Sequence, residues 1–219
     1  MFDANCLKLM FVAGSQDFYH IKGGKNDRTN ALLDALELAL QSKITAFQFR
    51  QKGDLALQDP IEIKQLALEC QKLCQKYSTP FIVNDEMQLA LELKADGVHV
   101  GQEDMAIEEV MTLCKKHQFI GLSVNTLEQA LKAHHLDGVA YLGVGPIFPT
   151  PSKKDKQVVG VELLKKIKDS GVKKPLVAIG GITMHNASKL REYGGIAVIS
   201  AIAQAKDKAL AVEKLLNNA

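Results

Sequence analysis

The 219-residue chain holds only four cysteines. In a chain of this size that does not suggest a disulfide framework. Cys70 and Cys74 lie four residues apart in a helical pattern, so they share a face. No nearby His or Cys pair completes a metal site with them. They are expected to be reduced thiols packed on or near a core face, and the expected compartment is the cytosol. Long apolar runs are also missing: none approaches the roughly 18 residues needed to span a bilayer. The first ten residues have no basic start followed by an apolar stretch, so no secretory signal is expected. Charge of one sign is lacking as well. There are 27 Lys+Arg against 25 Asp+Glu, a formal +2, which argues against a broad basic surface for nucleic acid. No Gly/Ser linker divides the chain and no low-complexity tract interrupts it.

What is present is the composition of an ordinary globular protein, 47% hydrophobic and 24% charged. Short β-rich runs alternate with longer helical patterns. Strands are expected at 7–13, 44–50, 80–84, 97–100, 119–123, 139–144, 175–179 and 195–200. Helices are expected at 30–40, behind a capping Thr29 or Asn30, and at 61–76, 105–116, 126–135, 161–169, 186–193 and 206–217. Repeated strand–helix units imply a parallel sheet covered by helices. Eight units with no interrupting segment argue for one (β/α)8 TIM barrel, residues 1–219, as a single domain. A doubly wound open sheet is the alternative, because it uses the same local unit. Eight units leave about 27 residues each, near the short end for such barrels, with no room for a large inserted lid.

The polar residues fall at strand ends. In the run from Ile44 to Lys52, period 2 puts Ala46, Gln48, Arg50 and Lys52 on one face and Phe47 and Phe49 on the other. This suits a strand passing from packed core into a wet mouth; an edge strand with a solvated face would read the same way. The third strand ends in Asn84-Asp85, and Asp104 follows the fourth. Either aspartate suits a helix cap. Adjacent strands lie roughly 5 Å apart, however, and two carboxylates that close repel unless a cation joins them. An oxygen-only pair suits Mg²⁺. His99 reads as a hydrogen-bonded core residue, and Ser123 as a strand-end hydroxyl. Gly143-Val144-Gly145-Pro146 lacks the third glycine of a dinucleotide fingerprint. The loop from Pro149 to Asp155 offers two hydroxyls and a cation, the groups a diphosphate needs, or is a solvated surface loop. Gly180-Gly181 and Ile199-Ser200 follow strands seven and eight, where barrels frequently bind phosphate.

These motifs together, in order and over nearly the whole chain, resemble the thiamine-phosphate synthase family. The residues that carry the resemblance are Gln48-Phe49-Arg50-Gln51-Lys52, Asn84-Asp85, the run from Gly97 to Asp104, Gly121-Leu122-Ser123, the run from Gly145 to Thr150, and the run from Ala178 to Thr183. The resemblance implies a (β/α)8 barrel that condenses hydroxymethylpyrimidine diphosphate with hydroxyethylthiazole phosphate, giving thiamine phosphate and diphosphate. It implies that Gln48, Phe49, Arg50, Gln51, Lys52, Asn84, Ser123 and Lys153 hold the pyrimidine diphosphate. Asp85 and Asp104 would bind Mg²⁺. Thr150, Pro151, Ser152, Gly181, Ile199 and Ser200 would hold the thiazole phosphate. The family's chemistry is dissociative, through a stabilised pyrimidine carbocation, and needs charge neutralisation more than acid–base work. That fits the lack of an evident base. Gln51 stands where the family commonly has Glu, and by alternation it points away from the mouth. Ser152 stands where Thr is common. The opening at 11–17 differs from the commoner family opening and is given no catalytic role. The rivals are a thiazole tautomerase on the same barrel, a non-catalytic phosphate-binding barrel, and a phosphate-handling barrel isomerase.

Overall fold

The computed structural model describes residues 2–150 and 157–218. Pro151, Ser152 and Lys153 lie outside these described residues. Eight parallel strands close on themselves in sequence order: β1 (Leu9–Ala13), β2 (Ala46–Phe49), β3 (Phe81–Asn84), β4 (Gly97–Val100), β5 (Phe119–Val124), β6 (Val139–Val144), β7 (Leu176–Ile179) and β8 (Gly195–Val198). Closure is made by β8 pairing with β1, Phe11 opposite Val198. An open doubly wound sheet keeps two unpaired edge strands, whereas here every strand is paired on both sides in sequence order, so the alternative is excluded and the fold is a (β/α)8 barrel.

The helices are α1 (Lys25–Gln41), α2 (Pro60–Lys76), α3 (Met87–Glu92), α4 (Ile107–Leu113), α5 (Leu127–His134), α6 (Gly160–Asp169), α7 (Ser200–Ala203) and α8 (Lys208–Asn218). Several starts differ from expectation for a local reason. The first helix begins five residues before Asn30 because Asp27 Oδ2 accepts the Gly24 N–H, an N-terminal cap in place of Thr29 or Asn30. Asp59 caps α2 by accepting the Ile61 N–H at 2.8 Å, with Pro60 at the first helical position. The stretch expected as a helix at 186–193 is only a 3-10 turn at Ala187–Leu190. Cys70 and Cys74 are buried free thiols on α2, as their spacing suggests. No helix among the described residues is long and apolar enough to cross a membrane.

Alternation along each strand divides the core in two. One set, including Leu9, Phe11, Phe47, Phe49, Phe81 and Val83, packs with helix residues. The other, Met10, Val12, Ala46, Ile82, Tyr141, Val177 and Ala197, forms a separate cluster inside the barrel. Phe47 sits in the outer layer with ring centroids 5.7 Å from Phe11 and 6.3 Å from Phe81. At the start of β1 the chain does not extend from Leu7 as expected. A 3-10 turn, Ala4–Leu7, capped by Asp3, adds Leu7 to the inner cluster, with Phe2 and Cys6 packed against it. Phe2 stacks on Phe119 at 5.1 Å. The strand starts are thereby filled, and the opposite ends are left for polar groups.

Removing a fully buried ring from the outer layer leaves a cavity that rigid strands cannot close. Phe47→Ala is expected to cost about 3–5 kcal/mol of unfolding free energy, measured by urea titration with an unchanged slope.

Candidate active site

All eight strands point the same way, so their C-terminal ends form one rim. On β2 the alternation holds as the sequence implies. Gln48 is buried toward the interior, with its Nε2 3.4 Å from Met10 Sδ, while Phe49 packs outward near Phe81. Arg50, half-buried, follows at the rim. Its backbone is fixed by the opening segment: Gln16 Nε2 donates to the Arg50 carbonyl at 2.7 Å and to Asp17 Oδ2 at 2.8 Å. Asp17 Oδ2 in turn accepts the Gly14 N–H at 2.9 Å. Residues 11–17, expected to have no catalytic role, thus position the backbone at Arg50, and the Gly14-x-x-Asp17 spacing is a turn-capping signal visible in the sequence. Gln51 turns elsewhere, its Oε1 accepting from Ser15 Oγ and from the Leu57 N–H.

Lys52 Nζ joins the two aspartates. It lies 2.7 Å from Asp85 Oδ2 and 3.4 Å from Asp104 Oδ1. Neither aspartate caps a helix. Asp85 occupies left-handed backbone (φ 63°), and its N–H donates to the His99 carbonyl at 2.8 Å; α3 starts after Glu86 instead. Asp104 Oδ2 accepts the Gly101 N–H at 2.8 Å, and α4 begins only at Ile107. A non-glycine residue in left-handed backbone costs of order 1 kcal/mol. Here that turn sets a carboxylate beside its neighbour across the β3–β4 gap.

The carboxylates titrate in opposite directions. Burial pushes the Asp85 carboxyl above its ordinary range, with Asp104 adding to the rise and Lys52 opposing it. Burial also pushes Asp104 up, but hydrogen bonds from Asp85 and the Gly101 N–H, together with Lys52, hold it below the ordinary range. Its hydrogen bond to Asp85 raises Lys52 in turn. Among the described residues no cluster of three or more His, Cys, Asp or Glu is placed to ligate a metal.

The rim is one continuous cleft in three parts. The first recess is lined by Arg50, Lys52, Asn84, Asp85, Asp104 and Ser123, among others. Arg50, Asn84 and Ser123 also line the central recess, which reaches down to Gln48, His99 and Tyr141. Ile179, Ala197 and Ile199 connect that centre to a third recess, lined by Thr150, Gly180, Gly181 and Ser200. There Gly181 has φ 65°, and a Cβ on it would lie 2.5 Å from the Pro149 carbonyl oxygen, so only glycine fits. Ser200 is not the last strand residue, as expected, but the first residue of α7. The cleft thus gathers Gln48, Arg50, Lys52, Asn84, Asp85, Asp104, Ser123, Thr150, Gly181, Ile199 and Ser200. It does not line itself with Phe49 or Gln51. His99, 8% exposed, holds two hydrogen bonds, to Tyr141 and Ser123, as its reading as a core histidine implies.

A family model described as thiamine monophosphate synthase matches residues 18–202. The chain belongs to that family. A thiamine-phosphate synthase of Helicobacter pylori (strain HPAG1) is 91% identical over 219 residues, all of both chains. One of Pasteurella multocida (strain Pm70) is 53% identical over 216 residues, 97% of this chain and 96% of its own. A solved thiamine phosphate pyrophosphorylase from Pyrococcus furiosus superposes with a TM-score of 0.82 at 36% identity, covering 98% and 96% of the two chains. The chain is, with its family, a transferase of thiamine biosynthesis.

The opposite shifts of the two aspartates set a pH signature for the metal-free protein. A raised carboxyl contributes stability that is complete below the ordinary aspartate value of 3.8 and is lost as pH rises through the native value. A lowered one contributes stability that is present above 3.8 and is lost as pH falls. Asp85→Asn removes the first effect; it also weakens the second, which Asp85 helps to cause, but that one acts below 3.8 and leaves the range above it unaffected. Between pH 4 and 7, its urea midpoint should rise relative to that of the unaltered chain. Parallel profiles would refute the assignment.

Proposed function

We propose that this cleft joins hydroxymethylpyrimidine diphosphate to hydroxyethylthiazole phosphate, releasing diphosphate and forming thiamine phosphate. The observation that carries the reading is the continuity of the cleft. A cation-and-carboxylate recess and a glycine-lined recess meet at one central pocket, so two phosphorylated substrates can be held with their reacting atoms together. Proximity of this kind supplies much of the acceleration of a two-substrate reaction.

Each residue then has a part. Gln48 and Asn84 orient the pyrimidine ring above the inner core. Arg50 and Lys52 neutralise the departing diphosphate, with Lys153 and with Ser123 from β5. Thr150, Gly181, Ile199 and Ser200, with Pro151 and Ser152, hold the thiazole phosphate. Phe49 contributes by packing against Phe81 and Gln51 by anchoring the 51–57 turn, not by contact with substrate.

The donor set of Asp85 and Asp104 fits Mg²⁺. Both carboxylates converge on a single cation, the Lys52 ammonium, and no third protein ligand accompanies them among the described residues. A pair of carboxylates completed by water and substrate phosphate oxygens is how Mg²⁺ is commonly bound. When bound there, Mg²⁺ neutralises charge on the diphosphate leaving group. No general base is needed, which suits a mouth whose histidine is already committed to Tyr141 and Ser123. A thiazole tautomerase would have no use for this cation-and-carboxylate recess. We further propose that residues 1–219 act as one catalytic domain, and that the protein is cytoplasmic, a location its four free thiols support.

Purified protein is expected to form thiamine phosphate from both substrates only when Mg²⁺ is supplied; no product in its presence would sink the proposal. Asp85→Asn and Asp104→Asn should each lower turnover sharply while circular dichroism stays unchanged. Arg50→Ala should weaken the diphosphate substrate more than the thiazole phosphate, read as separate KM values.

A further inference from the structure

Beneath the cleft three polar side chains, Tyr141, His99 and Ser123, form a connected line in a largely apolar interior. The Tyr141 hydroxyl lies 2.9 Å from His99 Nδ1, beside Gln48, whose Nε2 is 3.4 Å from Met10 Sδ. His99 Nε2 lies 2.9 Å from Ser123 Oγ. Tyr141 is 1% exposed and His99 8%. The space for them is made by two glycines on the adjoining strands. A Cβ on Gly121 would stand 2.2 Å from Tyr141 Cζ and 2.4 Å from His99 Nδ1; one on Gly143 would stand 2.9 Å from His99 Cε1. Glycine inside a strand weakens it, and two of them at one spot mark a close approach that the fold maintains.

The line has a direction. A phenol O–H is a stronger donor than a neutral imidazole N–H, so the Tyr141 proton goes to His99 Nδ1. A neutral imidazole with Nδ1 as acceptor carries its proton on Nε2, which donates to Ser123 Oγ. The hydroxyl proton of Ser123 is left for the cleft, where Ser123 lines both the central and the cationic recess. Gln102 Nε2 fixes the same residue from outside by donating to the Ser123 carbonyl at 2.7 Å.

We propose that Tyr141 and His99 are positioning residues that lock Ser123 as a hydrogen-bond donor aimed at the diphosphate substrate. This rests on the functional reading above. A serine hydroxyl in isolation rotates among donor and acceptor orientations; the buried line selects one before substrate arrives, which saves reorganisation during the reaction.

Two measurements test this in the full chain. Nitrogen NMR of labelled histidine should show His99 with a protonated Nε2 and a bare Nδ1. A protonated Nδ1, or a ring protonated at both nitrogens, would overturn the proposal. This readout needs no turnover, so it separates the proposal from the functional reading. Steady-state kinetics should show Tyr141→Phe losing roughly tenfold in kcat, with KM for the thiazole phosphate unmoved. In the Ser123→Ala background the same substitution should cost nothing further. Losses that multiply would show that Tyr141 acts only on the fold and would overturn the proposal. If Tyr141→Phe fails to fold, the NMR result on the unaltered chain decides alone.

Discussion

Everything at the active end depends on the parallel closure of β8 onto β1. A parallel ladder carries each strand's direction to the next, and closure removes both edges. The C-terminal ends of all eight strands therefore meet at one rim. Period-2 alternation then does the rest: what points outward along β2 is Phe47 and Phe49 against the helices, and what points inward is Ala46 and Gln48. Residues distant in sequence, such as Lys52, Asp104 and Ser200, become members of one cleft because the barrel leaves them no other place. Filling the opposite end with Phe2, Leu7 and Phe119 is part of the same arrangement. It keeps the floor of the barrel apolar, with Gln48, His99 and Tyr141 buried between it and the mouth.

Within that frame the charges are arranged against local stability. Asp85 and Asp104 both face the Lys52 ammonium, and Asp85 sits in backbone that a non-glycine residue rarely adopts. Among the described residues Lys52 is the cation paired with them, at about half exposure, where an ion pair contributes little. Such a cluster is poor as a fold-stabilising device. On the proposed reading it is a place for more positive charge and for a substrate that brings its own oxygen ligands. The opening segment serves the same end from the other side. Gln16 and Asp17 form no contact with the cleft's aspartates, yet they hold the Arg50 carbonyl and so set where the guanidinium starts.

Much of this was legible in the sequence, and the limits are physical. The eight-unit rhythm and the two-sided character of β2 can be read because alternation is a local property. The two aspartates could be paired in advance because consecutive strands of such a sheet are neighbours. Whether they capped helices could not be decided: Asp and Asn suit both roles, and only the left-handed turn at Asp85 and the Asp104–Gly101 contact separate them. Helix starts were misplaced where a capping carboxylate stands inside the helix, as at Asp27. The run expected to be helical at 186–193 shrank because Asn186 is engaged on Gly181 O and the Thr183 N–H, which pulls the chain into a turn. Gln51 was correctly seen by alternation to leave the mouth, although the motif around it implies a binding role.

The case of His99 shows where local reading ends. A lone histidine on a strand is sensibly taken as a satisfied core residue, and the two hydrogen bonds bear that out. What a local reading cannot supply is register. Gly121 pairs with both His99 and Tyr141, and Gly143 pairs with Ser123. Two absent side chains on neighbouring strands thus create the slot, and two present ones fill it. Being buried and being functional are not rival descriptions of such a residue. A polar group this deep must have both ring nitrogens satisfied, and satisfying them in sequence is what gives the line a direction. The constraint that makes His99 a good core residue is the one that lets it pass orientation to the rim.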